Sequence, residues 1–116
     1  MKSNPLVDLS RQYAVLVVNI CNSIKERGKS NALVNQFIRS GTSIGANVSE
    51  AERGQTKPDF YAKLSIALKE ANETCYWIRL LHATDYLDDK EFTSLFADAN
   101  ELVSILVAIC KSKDCS

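Results

Sequence analysis

Apolar residues recur along this chain in steps of three and four, the period of amphipathic helices, and nowhere alternate over the length of a strand. Leu6, Leu9, Tyr13, Leu16, Val17, Ile20 and Ile24 mark a first helix. Asn4 is placed to cap it and Pro5 to open it, where a missing N–H costs nothing. Gly28 is a left-handed stop. Ser30 caps a second helix with the inner stripe Val34, Phe37, Ile38, Gly41, Ile44, Gly45 and Val48, which ends at Gly54. Thr56 and Asp59 resemble a capping box at the start of a third helix. That helix runs to about Thr84 along Phe60, Leu64, Ala67, Leu68, Ala71, Cys75 and Ile78, with Ile66, Trp77 and Leu81 as a second apolar face. Asp88 and Glu91 cap a fourth helix built on Phe92, Leu95, Phe96, Ala99, Leu102, Val103, Leu106 and Ile109. Short loops bring each helix back beside the last, so the pattern predicts one all-α domain, an antiparallel up-down-up-down four-helix bundle over residues 1–116.

The polar positions add a second signal. From Asn31 to Ser49 the only charge is Arg39, and Ser40, Gly41, Ser43, Gly45, Ala46 and Ser49 keep the surface small. A helix that faces water on one side normally carries a charged stripe there. Its absence predicts protein cover on more than one side, within the bundle and in an oligomer. Gly41 and Gly45 each cost about 1 kcal/mol relative to alanine inside a helix, a loss that close helix packing offsets.

Composition narrows the class. With 46% hydrophobic and 24% charged residues the chain is globular rather than disordered. Fourteen basic and fourteen acidic residues cancel, so there is no whole-chain nucleic-acid footprint. The bundle end carrying Lys25, Arg27 and Lys29 also carries Asp85, Asp88, Asp89 and Glu91. The opposite end is marginally positive, and Arg53, Lys57, Lys111 and Lys113 are its candidate phosphate contacts. No run approaches the ~20 apolar residues that span a bilayer, and the first residues lack an apolar secretion segment. The expectation is a cytoplasmic protein with no membrane partner.

Catalytic and metal patterns find little to attach to. Cys21, Cys75, Cys110 and Cys115 form no close pair, and His82 is the one histidine available to join them. The Glu-x-x-His motif of di-iron bundles is missing, since Arg79 stands three residues before His82. No phosphate-binding loop is present, because the glycines of SGTSIGANVSEAERG have helical spacing. His82 reads as a solvated or capping residue at the bundle rim. One polar constellation stands out. Arg39, Ser43, Asn47 and Glu50 share a row on the second helix, and antiparallel pairing brings Arg39 opposite Glu70 and Glu73. That cluster reads as an ion pair fixing helix register or a subunit contact. The alternative is a small-ligand or catalytic pocket.

The segments LVNQFIRSGTSIGANVSEAERGQTKPDF (33–60) and SIALKEANETCYWIRLLHATDYL (65–87) resemble a bacterial four-helix bundle family. It includes the proteins encoded in intervening sequences of large-subunit ribosomal RNA genes and the accessory variability protein of diversity-generating retroelements. The run RSGTSIGAN followed by ALKEANET carries the match. The resemblance implies a homopentameric ring and no known enzymatic activity, and no cofactor is expected. It associates Arg39, Ser43, Asn47, Glu50, Glu70 and Glu73 with fold and assembly. For the retroelement branch it implies binding to nucleic acid and to a reverse transcriptase through a basic surface, from which this neutral chain departs. The expected function is a non-enzymatic oligomeric binding or scaffolding module in a nucleic-acid or ribonucleoprotein context.

Overall fold

The computed structural model describes residues 5–112, and in it the chain forms four helices in a bundle of 48 × 23 × 23 Å. Helix α1 spans Pro5–Glu26, α2 Asn31–Glu52, α3 Lys57–Ala83 and α4 Asp89–Ser112. Each packs on its chain neighbours, and α1 closes the ring against α4, so the up-down-up-down topology follows from the short loops. The described residues contain no strand.

The helix ends obey the local chemistry of the sequence. Pro5 opens α1, while its expected cap Asn4 lies outside the described residues. The Ser30 side chain accepts from the Ala32 N–H at 3.4 Å, and Thr56 accepts from the Asp59 N–H at 3.2 Å. Asp88 and Glu91 form a full reciprocal box, with the Glu91 N–H on Asp88 Oδ1 at 2.7 Å and the Asp88 N–H on Glu91 Oε1 at 3.0 Å. Gly28 takes the left-handed conformation at φ 78°. Gly54 does not. Arg53 caps α2, and a Cβ on Gly54 would stand 3.1 Å from the Ala51 carbonyl oxygen and 3.3 Å from the Phe60 nitrogen. Close approach, rather than a left-handed stop, accounts for that glycine.

The core is the expected one, rotated slightly. Leu6, Tyr13, Val17 and Ile24 of α1 are buried, but the stripe continues through Ser10 and Cys21. Leu9, Leu16 and Ile20 flank it as half-buried neighbours. On α3 the inner row runs Leu64, Ala67, Ala71, Thr74, Ile78 and Leu81. Leu81 therefore belongs to the core and not to a second face, and Thr74 replaces Cys75. Burying Thr74 is cheap because its hydroxyl donates to the Glu70 carbonyl at 2.7 Å. Ser10 and Ser40 are satisfied in the same way by Val7 and Phe37.

The close approach of α1 and α2 is the bundle's tightest feature. A Cβ on Gly41 would lie 2.9 Å from a Val17 methyl, and one on Gly45 would lie 3.1 Å from the Ser10 carbonyl oxygen. The expected compensation for two helix glycines is thus close packing against the first helix. Helix α4 departs from expectation in another way. By length and composition alone it is apolar enough to cross a membrane, with mean hydropathy 1.5, because Leu, Val, Ile and Ala dominate it and Asp98 and Glu101 are the only charges between Thr93 and Cys110. Leu95, Ala99, Leu102 and Leu106 nevertheless point into the bundle core.

Candidate functional site

Antiparallel packing of α2 on α3 brings Arg39 to Glu70 and Glu73, as the spacing predicts. Arg39 donates from Nη1 to Glu70 Oε2 at 3.0 Å and from Nη2 to Glu73 Oε2. Trp77, one turn after Glu73, donates its indole N–H to the same Glu73 oxygen at 3.0 Å. The Trp77 hydrogen bond, then Arg39, hold the Glu73 carboxyl below the usual carboxylate range. The two carboxylates in turn raise Arg39, the hydrogen bond to Glu73 foremost. The remaining predicted members do not join. Ser43 donates to the Arg39 carbonyl at 2.6 Å and Asn47 to the Ser43 carbonyl at 2.9 Å, so both serve their own helix. Glu50 pairs instead with Lys63 of α3 at 3.6 Å. The Arg39 side chain is 48% exposed, and the cluster lies on the surface of the seam.

The cavities lie elsewhere. A groove of about 300 Å³ between α1 and α4 is lined by Leu9, Gln12, Tyr13, Asp98, Glu101 and Leu102. The Tyr13 hydroxyl donates to the Leu95 carbonyl at 3.0 Å, and burial pushes its pKa far up. A second depression of about 260 Å³ on the outer side of α1 is lined by Arg11, Ala14, Val15, Val18 and Asn19. Val15 is 56% exposed there. A third, of about 400 Å³, sits between the start of α1 and the end of α2, at Val7, Ser49, Glu52 and Arg53.

The outer side joining α1 to α2 is almost free of charge. Its α2 row (Ile38, Thr42, Gly45 and Ser49) follows the glycine that touches Ser10, and the nearest ion pair is Arg11 with Asp8 at 3.6 Å. Arg39, the segment's single charge, faces the other way, toward α3. Ile66 and Tyr76 add exposed apolar area on α3, at 42% and 59%.

His82 is neither free nor a simple cap. Its Nε2 lies 2.7 Å from Asp89 Oδ1, across the α3–α4 turn. The ring stacks on Phe92 at 4.2 Å, Phe92 stacks on Phe96 at 5.2 Å, and the Arg79 guanidinium lies over Phe96 at 4.8 Å. The ladder zips α3 to α4. Spacing on one helix gives only the Phe92–Phe96 step, since the His82–Phe92 and Arg79–Phe96 contacts need the other helix.

Among the described residues there is no cluster of three or more His, Cys, Asp or Glu able to hold a metal. Cys21, Cys75 and Cys110 are free thiols, and burial pushes Cys21 up to about 11. Cys115 lies outside the described residues. Of the candidate phosphate contacts, Arg53, Lys57 and Lys111 are exposed, with Arg53 capping α2, Lys57 opening α3 and Lys111 in the last turn of α4. Lys113 lies outside the described residues.

Comparison with known proteins bears on this geometry. A family model described as 23S rRNA-intervening sequence protein matches residues 2–108. Among solved structures, the chain is similar to a protein of unknown function from the S23 ribosomal protein family of Bacteroides thetaiotaomicron. The two are 43% identical, the match covers 91% of this chain and 98% of that one, and the TM-score is 0.88. No curated protein matches.

Proposed function

The chain belongs to the 23S rRNA-intervening sequence protein family, and from that premise we propose that it is a non-enzymatic, self-associating bundle. It serves as a binding or scaffolding module in a nucleic-acid or ribonucleoprotein setting. The observation that carries this reading is the sparsely charged outer side of α1 and α2, where Arg11 is the one charge lining a depression with Ala14, Val15, Val18 and Asn19. Water-facing helix surfaces normally carry charge, and a contiguous apolar patch rimmed by polar residues marks an interaction surface. Ile66 offers a second, non-equivalent apolar position on α3. Two different patches on one subunit suit a head-to-tail contact, which closes into a ring when the rotation permits. A homopentamer is the number that the resemblance implies.

The alternative, a ligand or catalytic pocket at Arg39, Glu70 and Glu73, has less support. The guanidinium is taken up by two carboxylates, Glu73 is also held by Trp77, and none of the three cavities includes these residues. The three described thiols, all free, suit the reducing cytoplasm. The inward leucines of α4 suit a bundle helix rather than a membrane anchor.

Multi-angle light scattering at micromolar concentration tests the association. A mass several times 12.9 kDa is expected, and replacing Val15 with Glu should lower it. A monomeric mass for the native chain would sink this reading.

A further inference from the structure

The four seams of the bundle differ in charge, and one of them gathers basic and aromatic groups along its length, with the Asp89 carboxylate paired to His82 at its turn. On α3, Lys69, Asn72, Tyr76 and Arg79 follow one another in steps of three, four and three, and all four are exposed. On α4, Phe96, Asn100, Val107 and Lys111 make the facing row. The two rows adjoin, because Arg79 lies over the Phe96 ring at 4.8 Å and the Cys75 thiol approaches Asn100 Oδ1 at 4.0 Å. Most acids of both helices are engaged elsewhere, Glu91 with Arg27 of the α1–α2 turn among them. Glu70 and Glu73 are engaged by Arg39 at the α2 seam, Asp98 and Glu101 line the α1 groove, and Asp89 holds His82 at the turn. Lys69, Arg79 and Lys111 have no ion-pair partner among the described residues.

We propose that this α3–α4 face binds single-stranded nucleic acid, with Lys69, Arg79 and Lys111 on phosphates and Tyr76 as a stacking surface for a base. The proposal rests on the nucleic-acid reading above and moves the contact from the bundle end to a side. The chemistry fits a flexible polyanion carrying flat rings. Tyr76 is 59% exposed and braced edge-to-face by Trp77 at 5.0 Å, so one ring face is available at little entropic cost. The exposed amides of Asn72 and Asn100 sit between the cations and can serve base edges or sugar hydroxyls. Lys69 and Arg79 are ten residues apart, about 15 Å along the helix, which matches an extended strand of a few nucleotides.

The test uses fluorescence anisotropy with a twelve-residue oligouridine, the matching oligothymidine and a duplex of the same length, at several salt concentrations. Both single strands should bind, more tightly than the duplex. Three phosphate contacts predict a log–log salt slope of about −2 per subunit (~0.7 for each contact on a single strand). Lys69→Gln combined with Lys111→Gln should bring the slope to about −0.7. Tyr76→Ala should weaken binding by about fivefold or more with the slope unchanged, and Tyr76→Phe should restore it. Lys25→Gln, on α1, should change nothing. If the native chain binds but these face variants bind equally well, the face is wrong and the nucleic-acid reading stands. Flattening by Arg53→Gln with Lys57→Gln in place of the face variants would return the contact to the bundle end. No binding at low salt would remove both the face and the nucleic-acid setting, leaving the self-association to be judged by its mass. Tighter binding of the duplex would also overturn the proposal.

Discussion

Replacing Gly45 tests how far the fold depends on the close approach of α1 and α2. Inside a helix, glycine to alanine is worth about 1 kcal/mol in favour of alanine. Here the new Cβ would lie 3.1 Å from the Ser10 carbonyl oxygen and 3.3 Å from its carbon, both backbone atoms that cannot rotate away. Gly45→Ala therefore sets the propensity gain against a forced separation of two helices, and the two should nearly cancel. Leucine carries three further carbons into the same space. Overpacking typically costs 1–3 kcal/mol and more where the neighbour is backbone, so Gly45→Leu should destabilise by about 3 kcal/mol. For a domain of this size each kcal/mol lowers the melting temperature by about 4 °C, giving a drop of roughly 12 °C. Ala46→Leu adds the same side chain at the next, exposed position and should stay within about 0.5 kcal/mol. Thermal unfolding by circular dichroism reads both variants, with urea midpoints as a check on the thermal scale. Equal melting temperatures for Gly45→Leu and Ala46→Leu would show that the helices separate freely at this point and that the glycine is not selected by contact.

Other consequences follow from the side-chain geometry. Arg39→Met should cost no more than about 1 kcal/mol in urea unfolding, because the guanidinium is half-exposed and solvent screens the pair. A loss above 3 kcal/mol would mean the cluster is a buried network. The depressed Glu73 carboxyl contributes stability that is complete above the unfolded carboxylate range near pH 4 and lost as pH falls through its lower folded value. Acid titration of a Trp77→Phe variant, which lacks the hydrogen-bond donor, should show a smaller loss that is complete at a higher pH. Cys21, fully buried with its thiol pushed up to about 11, should resist a thiol reagent until the bundle unfolds. Its modification at the same rate in native and unfolded protein would contradict the core assignment.

The sequence carried the bundle's plan because each helix boundary rests on chemistry within four residues. Ser30, Thr56 and the Asp88–Glu91 pair cap the helices that their spacing announced. Arg39 could be paired with Glu70 and Glu73 because an antiparallel hairpin hinged near residue 55 fixes which residues stand opposite. The errors lie where burial and hydrophobicity part company. Ser10, Cys21, Ser40 and Thr74 are core residues, and a stripe traced through large apolar residues passes beside them. The same tracing puts Leu81 on a second apolar face, whereas the fold buries it in the core. The Trp77–Glu73 bond had a legible signal, a donor four residues after an acceptor on one helix. The His82–Phe92–Phe96–Arg79 ladder was legible only in its Phe92–Phe96 step, since its two outer rungs join helices whose relative rotation the sequence does not state.

Net charge proved the least informative number about this chain. Fourteen acids and fourteen bases sum to zero, yet the fold sorts them by seam. Asp98 and Glu101 face the α1–α4 groove, the α2–α3 seam is knit by Arg39 with Glu70 and Glu73 and by Lys63 with Glu50, and the outer side of α1 and α2 is nearly neutral. Lys69, Arg79 and Lys111 remain on the α3–α4 side. A polyanion responds to charge within about a Debye length, some 8 Å at physiological salt, and not to the sum over a molecule 48 Å long. A neutral bundle can therefore present a cationic face, and head-to-tail association through the α1–α2 side would repeat that face around a ring. The two ideas are separable. Val15→Glu should lower the mass and weaken nucleic-acid binding through lost multivalency while leaving the slope per subunit intact, whereas Lys69→Gln with Lys111→Gln should flatten the slope at unchanged mass. If the charge variants also dissociated the assembly, the basic face would be part of the subunit contact and the separation drawn between the seams would fail.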